Sequence, residues 1–177
     1  MNLFFRLLCI LLFSRFRSEV NVLGECSTPF TVLPTDLDVL MHMNNGVYLS
    51  LQDLARMDYM IRAQALKKIS ARDWYPVVAS EMIRFRRSLG LFKKFELRTR
   101  LISWDDRYLY MEHKFVSGNE VMALGMIRAR FLSKKGGAVS PQELMQALDL
   151  DLKAPDFPPH LIEWLAADQD HSKFTGL

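Results

Sequence analysis

The chain has 177 residues, of which 50% are hydrophobic and 24% are charged. This balance is typical of one globular domain whose core forms without disulfide or metal support. The net charge of +3 is too small to indicate nucleic acid as the main partner. The two cysteines, Cys9 and Cys26, make neither a disulfide framework nor a metal-ligand spacing, so we expect no metal and a reducing cytoplasm.

Residues 1–22 form an apolar segment ahead of the predicted domain. The run 3–13 is interrupted only by Arg6, and it is too short to cross a bilayer as a helix, which takes about 20 residues. We expect a short helix in the membrane interface, with Arg15 and Arg17 reaching lipid phosphates. A helix packed on the domain or on a dimer partner is the alternative. A cleaved or spanning segment is a third, disfavoured because no small-x-small cleavage site follows.

The next residues predict one strand and one long helix. Residues 26–33 are rich in β-prone side chains and are predicted as a strand. Residues 35–45 form a polar loop. From residue 46 to about 68 apolar side chains recur at helical spacing, with Asn44 or Asn45 as the helix cap.

Four later segments alternate apolar and polar residues with the period of two that is typical of strands: 77–86, 95–103, 107–116 and 121–132. Short turns join them, so we predict an antiparallel meander. Ser140 and Pro141 open a short helix, and residues 161–167 form a last amphipathic turn or two. The pattern alone predicts an α+β domain with one helix on an antiparallel sheet, over residues 23–148, with a C-terminal tail over 149–177.

The segment 36–48, Asp-Leu-Asp-Val-x-x-His-x-Asn-Asn-x-x-Tyr, resembles the loop and helix start of hotdog-fold thioesterases. These include the plant acyl-carrier-protein thioesterases and the 4-hydroxybenzoyl-CoA thioesterase group. The likeness extends over roughly residues 33–148 and is closer to the vertebrate thioesterase superfamily member six and its bacterial relatives. It implies an antiparallel sheet wrapped around one long central helix. It also implies a homodimer or dimer of dimers, with acyl thioesters of coenzyme A or a carrier protein as substrates and no other cofactor.

The same resemblance aligns Asp38 with the family's catalytic acid. Thioester hydrolysis needs a base or nucleophile and donors for the developing oxyanion. Free N–H groups at a helix start can supply those donors, and the candidates are the backbone amides of Asn45, Gly46 and Val47. His42 and Asn44 complete the predicted catalytic set by orienting the water or the carbonyl. A structural hydrogen bond to the loop is the alternative role for His42. Asp36 is interpreted as a solvated turn residue, with an orienting role at the site as the alternative, and His113 as structural.

Other residues are candidates for holding the rest of an acyl thioester. Guanidinium groups match phosphate oxygens, and the candidates to bind substrate are Arg84, Arg86, Arg87 and Tyr48. Lys93 and Lys94 are further basic candidates, and a solvated sheet face is the alternative for each basic residue. The methionines, such as Met41, Met43, Met57 and Met60, suit an adaptable acyl tunnel or simply a methionine-rich core.

One difference from the plant-type pattern bears on whether the protein hydrolyses thioesters at all. Leu40 stands where those enzymes carry a polar asparagine of the reactive set. The leading hypothesis is a fatty acyl thioesterase of the cytoplasm, held at a membrane surface through residues 1–17. The alternatives are a non-catalytic acyl-thioester or lipid-binding protein, and a membrane-docked interaction protein.

Overall fold

The computed structural model describes the backbone of residues 2–175 and the side chains of residues 3–168. In chain order its helices and strands are α1 (Asn2–Phe13), β1 (Cys26–Thr31), α2 (Asn45–Arg62), α3 (Ala65–Ser70), β2 (Trp74–Phe85), β3 (Lys94–Trp104), β4 (Leu109–Ser117), β5 (Glu120–Ser133), β6 (Ala138–Val139), α4 (Pro141–Ala147) and α5 (Pro159–Thr175). Short 3-10 turns occupy Ser14–Phe16 and Pro34–Asp36.

The strands form one antiparallel sheet in the order β1-β3-β4-β5-β2, with β6 added to β5. The meander prediction is confirmed for β3, β4 and β5 but is wrong for β2, which pairs with β5 at the far edge. The segment after β2 is therefore a crossing rather than a hairpin turn. Its Leu89 carbonyl accepts a hydrogen bond from the Met43 amide (2.8 Å), so it passes beside the loop that precedes α2.

Helix α2 packs on the concave side of the sheet and contributes Leu51 and Ala55 to the buried core. Gly125 on β5 permits a close approach, because a Cβ atom there would lie 2.8 Å from Nε2 of the buried Gln52 side chain. The helix predicted over residues 46–68 is wrong at its C-terminal end, because α2 stops at Arg62. Gln64 adopts a left-handed φ of 57°, which ends α2 before α3 begins.

Helix α1 packs against the domain through one side only. Arg6 and Ile10 are buried, whereas Phe4 and much of the other side are exposed. The prediction that Arg17 reaches lipid is wrong, because its guanidinium turns inward and binds the buried Asp58 carboxylate (Nη1 to Oδ2, 2.7 Å). Within residues 2–175, no helix is long and apolar enough to cross a membrane.

The C-terminal part packs on both sides of the sheet: α4 lies beside α3 on the side of α2, and α5 covers the opposite side. Ser140 caps α4 through a capping box with Glu143, as the sequence predicts. Helix α5 is longer than the predicted turn or two, and it is held by Leu161, which is fully buried against Ile102 and Tyr110. The result is a curved antiparallel sheet wrapped around one central helix. The α+β prediction is therefore confirmed.

Candidate active site

The loop that precedes α2 is a small, tightly bonded hairpin. Leu37 pairs with Met43 in an antiparallel bridge. The Asp38 amide donates to the His42 carbonyl (2.8 Å), and the Met41 amide donates to the Asp38 carbonyl (3.1 Å). Met41 takes a positive φ of 62° at the tip. The loop therefore holds Asp38 in a defined place four residues before His42.

One of the two oxygens of the Asp38 carboxylate accepts hydrogen bonds from the loop. Its Oδ1 atom accepts hydrogen bonds from the backbone amides of Leu40 (2.9 Å) and His42 (3.3 Å), an Asx-type turn. In the described part of the chain, no group bonds to Oδ2. The side chain is half-buried. One carboxylate oxygen is thus fixed by the backbone, and the other is available to a water or a ligand.

Asn44 caps the start of α2. Its Oδ1 accepts from the Gly46 amide (2.9 Å), and its carbonyl accepts from the Val47 amide (2.9 Å). The prediction of a cap at Asn44 or Asn45 is therefore confirmed at Asn44. Of the three backbone amides considered for an oxyanion, Gly46 and Val47 have partners. The Asn45 amide has none among the described residues.

Asp36 is not a solvated turn residue, and that interpretation is wrong. Its side chain is buried, and its Oδ2 accepts from Arg6 Nη2 on α1 (2.7 Å) and from the Leu33 amide (2.8 Å). The Asp36 carbonyl accepts from the Asn44 amide (2.8 Å). Asp36 therefore joins α1 to the cap of α2 and forms the base of the hairpin that carries Asp38.

The outer rim of this hairpin is apolar and open to solvent. Val39 is 96% exposed and Leu40 is 72% exposed. His42, also exposed, pairs with Gly90 in an antiparallel bridge, and Phe92, two residues beyond Gly90, is another exposed apolar side chain. Leu40 therefore adds apolar surface at the position where the plant-type pattern has a polar side chain.

The predicted substrate-binding residues fall into two groups. Tyr48 is buried, and its ring lies 4.9 Å from those of both Phe85 and Phe115. Burial raises the pKa of Tyr48, and a hydrogen bond with the Leu89 backbone lowers the same pKa by a smaller amount. Tyr48 is therefore a core residue. The basic candidates are exposed: Arg84, Arg86, Arg87, Lys93 and Lys94. Arg87 pairs with Glu120 (2.7 Å) at the surface.

A cavity of about 240 Å³ lies between the sheet and helices α2, α3 and α4. None of its lining residues belongs to the Asp38 loop. The nearest lining residue on α2, Asp53, follows the Asn44 cap by nine positions, which corresponds to a rise of about 14 Å along the helix axis. Met57 and Met60 line it, whereas Met41 is exposed and Met43 is buried elsewhere. The helical spacing of Asp53, Met57 and Met60 was the available signal for this cavity.

His113 is buried beside that cavity. Its Nε2 lies 3.3 Å from Arg56 Nη1, and its Nδ1 lies 3.0 Å from Thr99 Oγ1. A guanidinium can only donate, so Nε2 must be the acceptor and the ring proton sits on Nδ1. Burial first, and the charge of Arg56 second, hold the pKa of His113 well below its usual value. These contacts agree with a structural role.

The remaining histidines add little to this picture. His160 Nε2 lies 3.7 Å from Glu112 Oε2 at the surface. The side chain of His171 lies outside the described residues. No group of three or more His, Cys, Asp or Glu side chains within the described residues could hold a metal ion.

Together the sheet order, the central helix and the loop before it define a hotdog-fold domain. A family profile described as the thioesterase-like superfamily matches residues 32–165. That match covers most of the chain, which therefore belongs to the thioesterase-like superfamily.

Named relatives and a solved structure agree with this assignment. The chain is 34% identical over 156 residues to protein THEM6 of Xenopus laevis, covering 86% of this chain and 73% of that protein. It is 35% identical over 164 residues to protein THEM6 of Danio rerio, covering 92% and 80%. The probable thioesterase YbaW of Escherichia coli superposes with a TM-score of 0.65 at 23% identity, covering 70% of this chain and 96% of that one.

Proposed function

We propose that this protein hydrolyses fatty acyl thioesters of coenzyme A or of a carrier protein to the free acid and thiol. Membership of the thioesterase-like superfamily supports thioester hydrolysis in general. The observation that carries the finer proposal is the Asp38 carboxylate. It stands just before the N-terminus of α2 with Oδ2 unbonded among the described residues.

In the proposed reaction, Asp38 Oδ2 takes a proton from water while the water oxygen bonds to the carbonyl carbon. The exposed His42 orients that water. The Asn45 amide and the positive end of the α2 dipole stabilise the oxyanion. As the C–S bond breaks, the thiolate leaves and takes the proton from Asp38. Direct attack by Asp38, through a mixed anhydride that water then opens, is the other route open to a carboxylate.

The surroundings of Asp38 suit an amphiphilic substrate. Val39, Leu40 and Met41 offer apolar surface to an acyl chain next to the carboxylate. Arg86 and Arg87 begin the segment that passes beside the loop, and both are exposed and able to bind the phosphates of coenzyme A.

We also propose that the protein works as a homodimer that pairs through β2. This strand is 12 residues long, and among the described residues it pairs with β5 alone, which leaves its other edge open. Tyr75, Val78 and Phe85 on it are exposed large apolar side chains. A long, apolar and unpaired edge invites pairing with a second strand.

The outer side of α1 supports attachment to a membrane surface. Its exposed apolar residues are Leu3, Phe4, Phe5, Leu8, Leu11, Leu12 and Phe13. Because the opposite side is fixed to the domain through Arg6 and Ile10, the helix is positioned to lie in the lipid interface rather than to cross it.

A second candidate function is the binding of an acyl thioester without turnover. Two observations favour it: the Gly46 and Val47 amides are already bonded to Asn44, and the apolar cavity lies away from Asp38. A membrane-docked interaction protein would show neither binding nor hydrolysis.

The deciding experiment measures thiol release from acyl-CoAs of increasing chain length, from butyryl to palmitoyl, by the native protein and by Asp38→Asn. We expect turnover that falls about a hundredfold or more in the variant, the scale that general base catalysis supplies. Binding of acyl-CoA without thiol release by the native protein would instead establish the second candidate. Neither binding nor release would leave only the interaction protein.

A further inference from the structure

Two neighbouring loops carry a group of large apolar side chains that are exposed to solvent. One loop is the tip of the Asp38 hairpin, and the other is the turn after Gly90. Between 39% and 96% of each side chain is exposed, and we call the group the apolar rim: Val39, Leu40, Met41, Leu91 and Phe92. Clustered apolar surface of this kind marks a site of interaction on a protein.

Backbone hydrogen bonds hold the two loops side by side. His42 pairs with Gly90 in an antiparallel bridge, and the Met43 amide donates to the Leu89 carbonyl (2.8 Å). The turn itself is closed by the Lys93 amide, which donates to the Gly90 carbonyl (3.1 Å). The apolar rim is therefore fixed in place before anything binds, so binding has no loop to order.

The backbone at the two tips disfavours the side chains that stand there. Met41 has a φ of 62° and Phe92 a φ of 57°, a left-handed conformation that glycine or asparagine adopts at lower cost. Burial does not offset this cost within the described chain, since 60% of Met41 and 62% of Phe92 is exposed. Contact with an apolar partner outside the chain would give both side chains a role that folding does not.

Basic side chains flank the apolar rim. Residues 84–94 contain five basic residues and no acidic one, and all five are exposed: Arg84, Arg86, Arg87, Lys93 and Lys94. Glu120 pairs with Arg87. The hairpin over residues 36–43 contributes two acidic residues, of which Asp36 is buried against Arg6. The surroundings of the rim are therefore net positive and attract anionic lipid headgroups.

This combination favours a bilayer over a protein as the partner. Lysine is depleted in protein interfaces, whereas basic side chains beside an apolar surface are typical of segments that lie in the membrane interface. Val39 is 96% exposed, so the hairpin tip protrudes. A protruding apolar tip can pass below the headgroups while the basic side chains stay among the phosphates.

We propose that the apolar rim inserts into the surface of an anionic phospholipid bilayer, with the basic residues of 84–94 among the headgroups. This contact is separate from the outer side of α1. Arg6 on α1 links the two, because it binds Asp36 at the base of the hairpin. Asp38, one residue before the rim, would then face the headgroup layer and meet thioesters that reside in the membrane. That consequence alone rests on the proposed hydrolysis.

The first test detects insertion directly. Phe92→Trp and Ile162→Trp each place a new indole at an exposed apolar position, the first in the rim and the second on α5. Both are mixed with anionic vesicles whose acyl chains carry bromine, which quenches a nearby indole, and the signal of the native protein is subtracted. We expect quenching for Phe92→Trp and none for Ile162→Trp. Bound protein with an unquenched Phe92→Trp signal, or no vesicle binding at all, would overturn the proposal.

The second test measures vesicle affinity after two rim side chains are removed. The double variant Leu40→Ser, Phe92→Ser should lose about tenfold or more in affinity for anionic vesicles. Its melting temperature should stay close to the native value, because both side chains are exposed. Native affinity in this variant would overturn the proposal.

The third test concerns the charges. The double variant Lys93→Gln, Lys94→Gln should lose much of the preference for anionic over neutral vesicles. Lys134→Gln, Lys135→Gln is the matched control, since it changes two adjacent exposed lysines after β5 and should keep that preference. An equal loss in both pairs would mean that net charge, and not the rim, attracts the bilayer, and would overturn the proposal.

Two further measurements separate docking from catalysis and from dimer formation. Asp38→Asn should bind vesicles at least as tightly as the native protein, so a failure of hydrolysis leaves docking intact. A rim covered by a second copy of the chain would instead make Leu40→Ser, Phe92→Ser monomeric by light scattering where the native protein is dimeric, and that result would overturn the proposal.

Discussion

Arg6 Nη2 on α1 lies 2.7 Å from Asp36 Oδ2 at the base of the Asp38 hairpin, and both side chains are almost fully buried. The same Arg6 nitrogen donates to the Thr31 carbonyl (2.8 Å). The N-terminal helix is therefore fixed to the loop that carries the candidate catalytic carboxylate.

Breaking this pair should be costly because each partner would leave a buried charge behind. We expect Arg6→Met or Asp36→Asn to lower the free energy of unfolding by about 3 kcal/mol, measured by urea denaturation. The double variant should lose less than the sum of the two. Arg15→Met is the control, since Arg15 is exposed and should change stability by less than about 0.5 kcal/mol. A loss in Arg6→Met no larger than in this control would contradict the account.

The exposed side of α1 should bind lipid. We expect the native protein to sediment with anionic vesicles. The double variant Phe4→Ser, Phe5→Ser should lose about tenfold or more in vesicle affinity, because two large apolar side chains no longer enter the interface. Ile162→Ser on α5 removes an exposed apolar side chain on another element and should leave vesicle binding unchanged. Equal sedimentation of native protein and double variant would rule out α1 as the attachment surface.

The open edge of β2 should form the homodimer interface. Ala79 is exposed near the middle of this strand, at the irregularity between Val78 and Ser80. In a two-fold pair the two copies of this residue would lie near each other, so Ala79→Asp should bring like charges together and give monomers by light scattering. Ala166→Asp on the exposed side of α5 should leave the mass unchanged. An Ala79→Asp protein with the native mass would place the interface elsewhere.

His113 should make stability depend on pH. Its pKa is lowered on folding, so below about pH 6.5 the unfolded chain binds a proton that the folded protein excludes. Stability should therefore fall as the pH drops, by up to about 1.4 kcal/mol per pH unit from this group. His113→Gln should show a flatter profile of melting temperature between pH 7 and pH 5, because a histidine in the unfolded chain gains its proton over about that range. Parallel profiles would mean that another group carries the effect.

Local patterns predicted much of this fold. Two-residue alternation located the strands from β2 to β5, and the short polar side chains before α2 and α4 located both helix caps. These features depend on neighbours within a few residues. The pairing of β2 with β5 does not, because it depends on which edge is free once β3, β4 and β5 have formed.

The same distinction explains the errors at the candidate site. Asp36 looked solvated because its partner Arg6 is 30 residues away in the sequence. Arg17 looked suited to lipid because its partner Asp58 lies on α2, 41 residues later. The cavity is formed by residues from three helices and several strands, so only its α2 stripe was visible in the sequence. Asp38 itself was found through resemblance, not through spacing.

The most direct test of the central claim compares two carboxylates in one assay. Asp38→Asn and Asp53→Asn each keep the side-chain size and remove one negative charge, the first in the loop before α2 and the second beside the cavity, nine residues after the Asn44 cap of α2. Thiol release from decanoyl-CoA is measured for both and for the native protein. The account predicts a loss of about a hundredfold or more for Asp38→Asn and turnover within a few-fold of native for Asp53→Asn. Full activity in Asp38→Asn, with activity lost in Asp53→Asn, would contradict the account and move the chemistry to Asp53 beside the cavity.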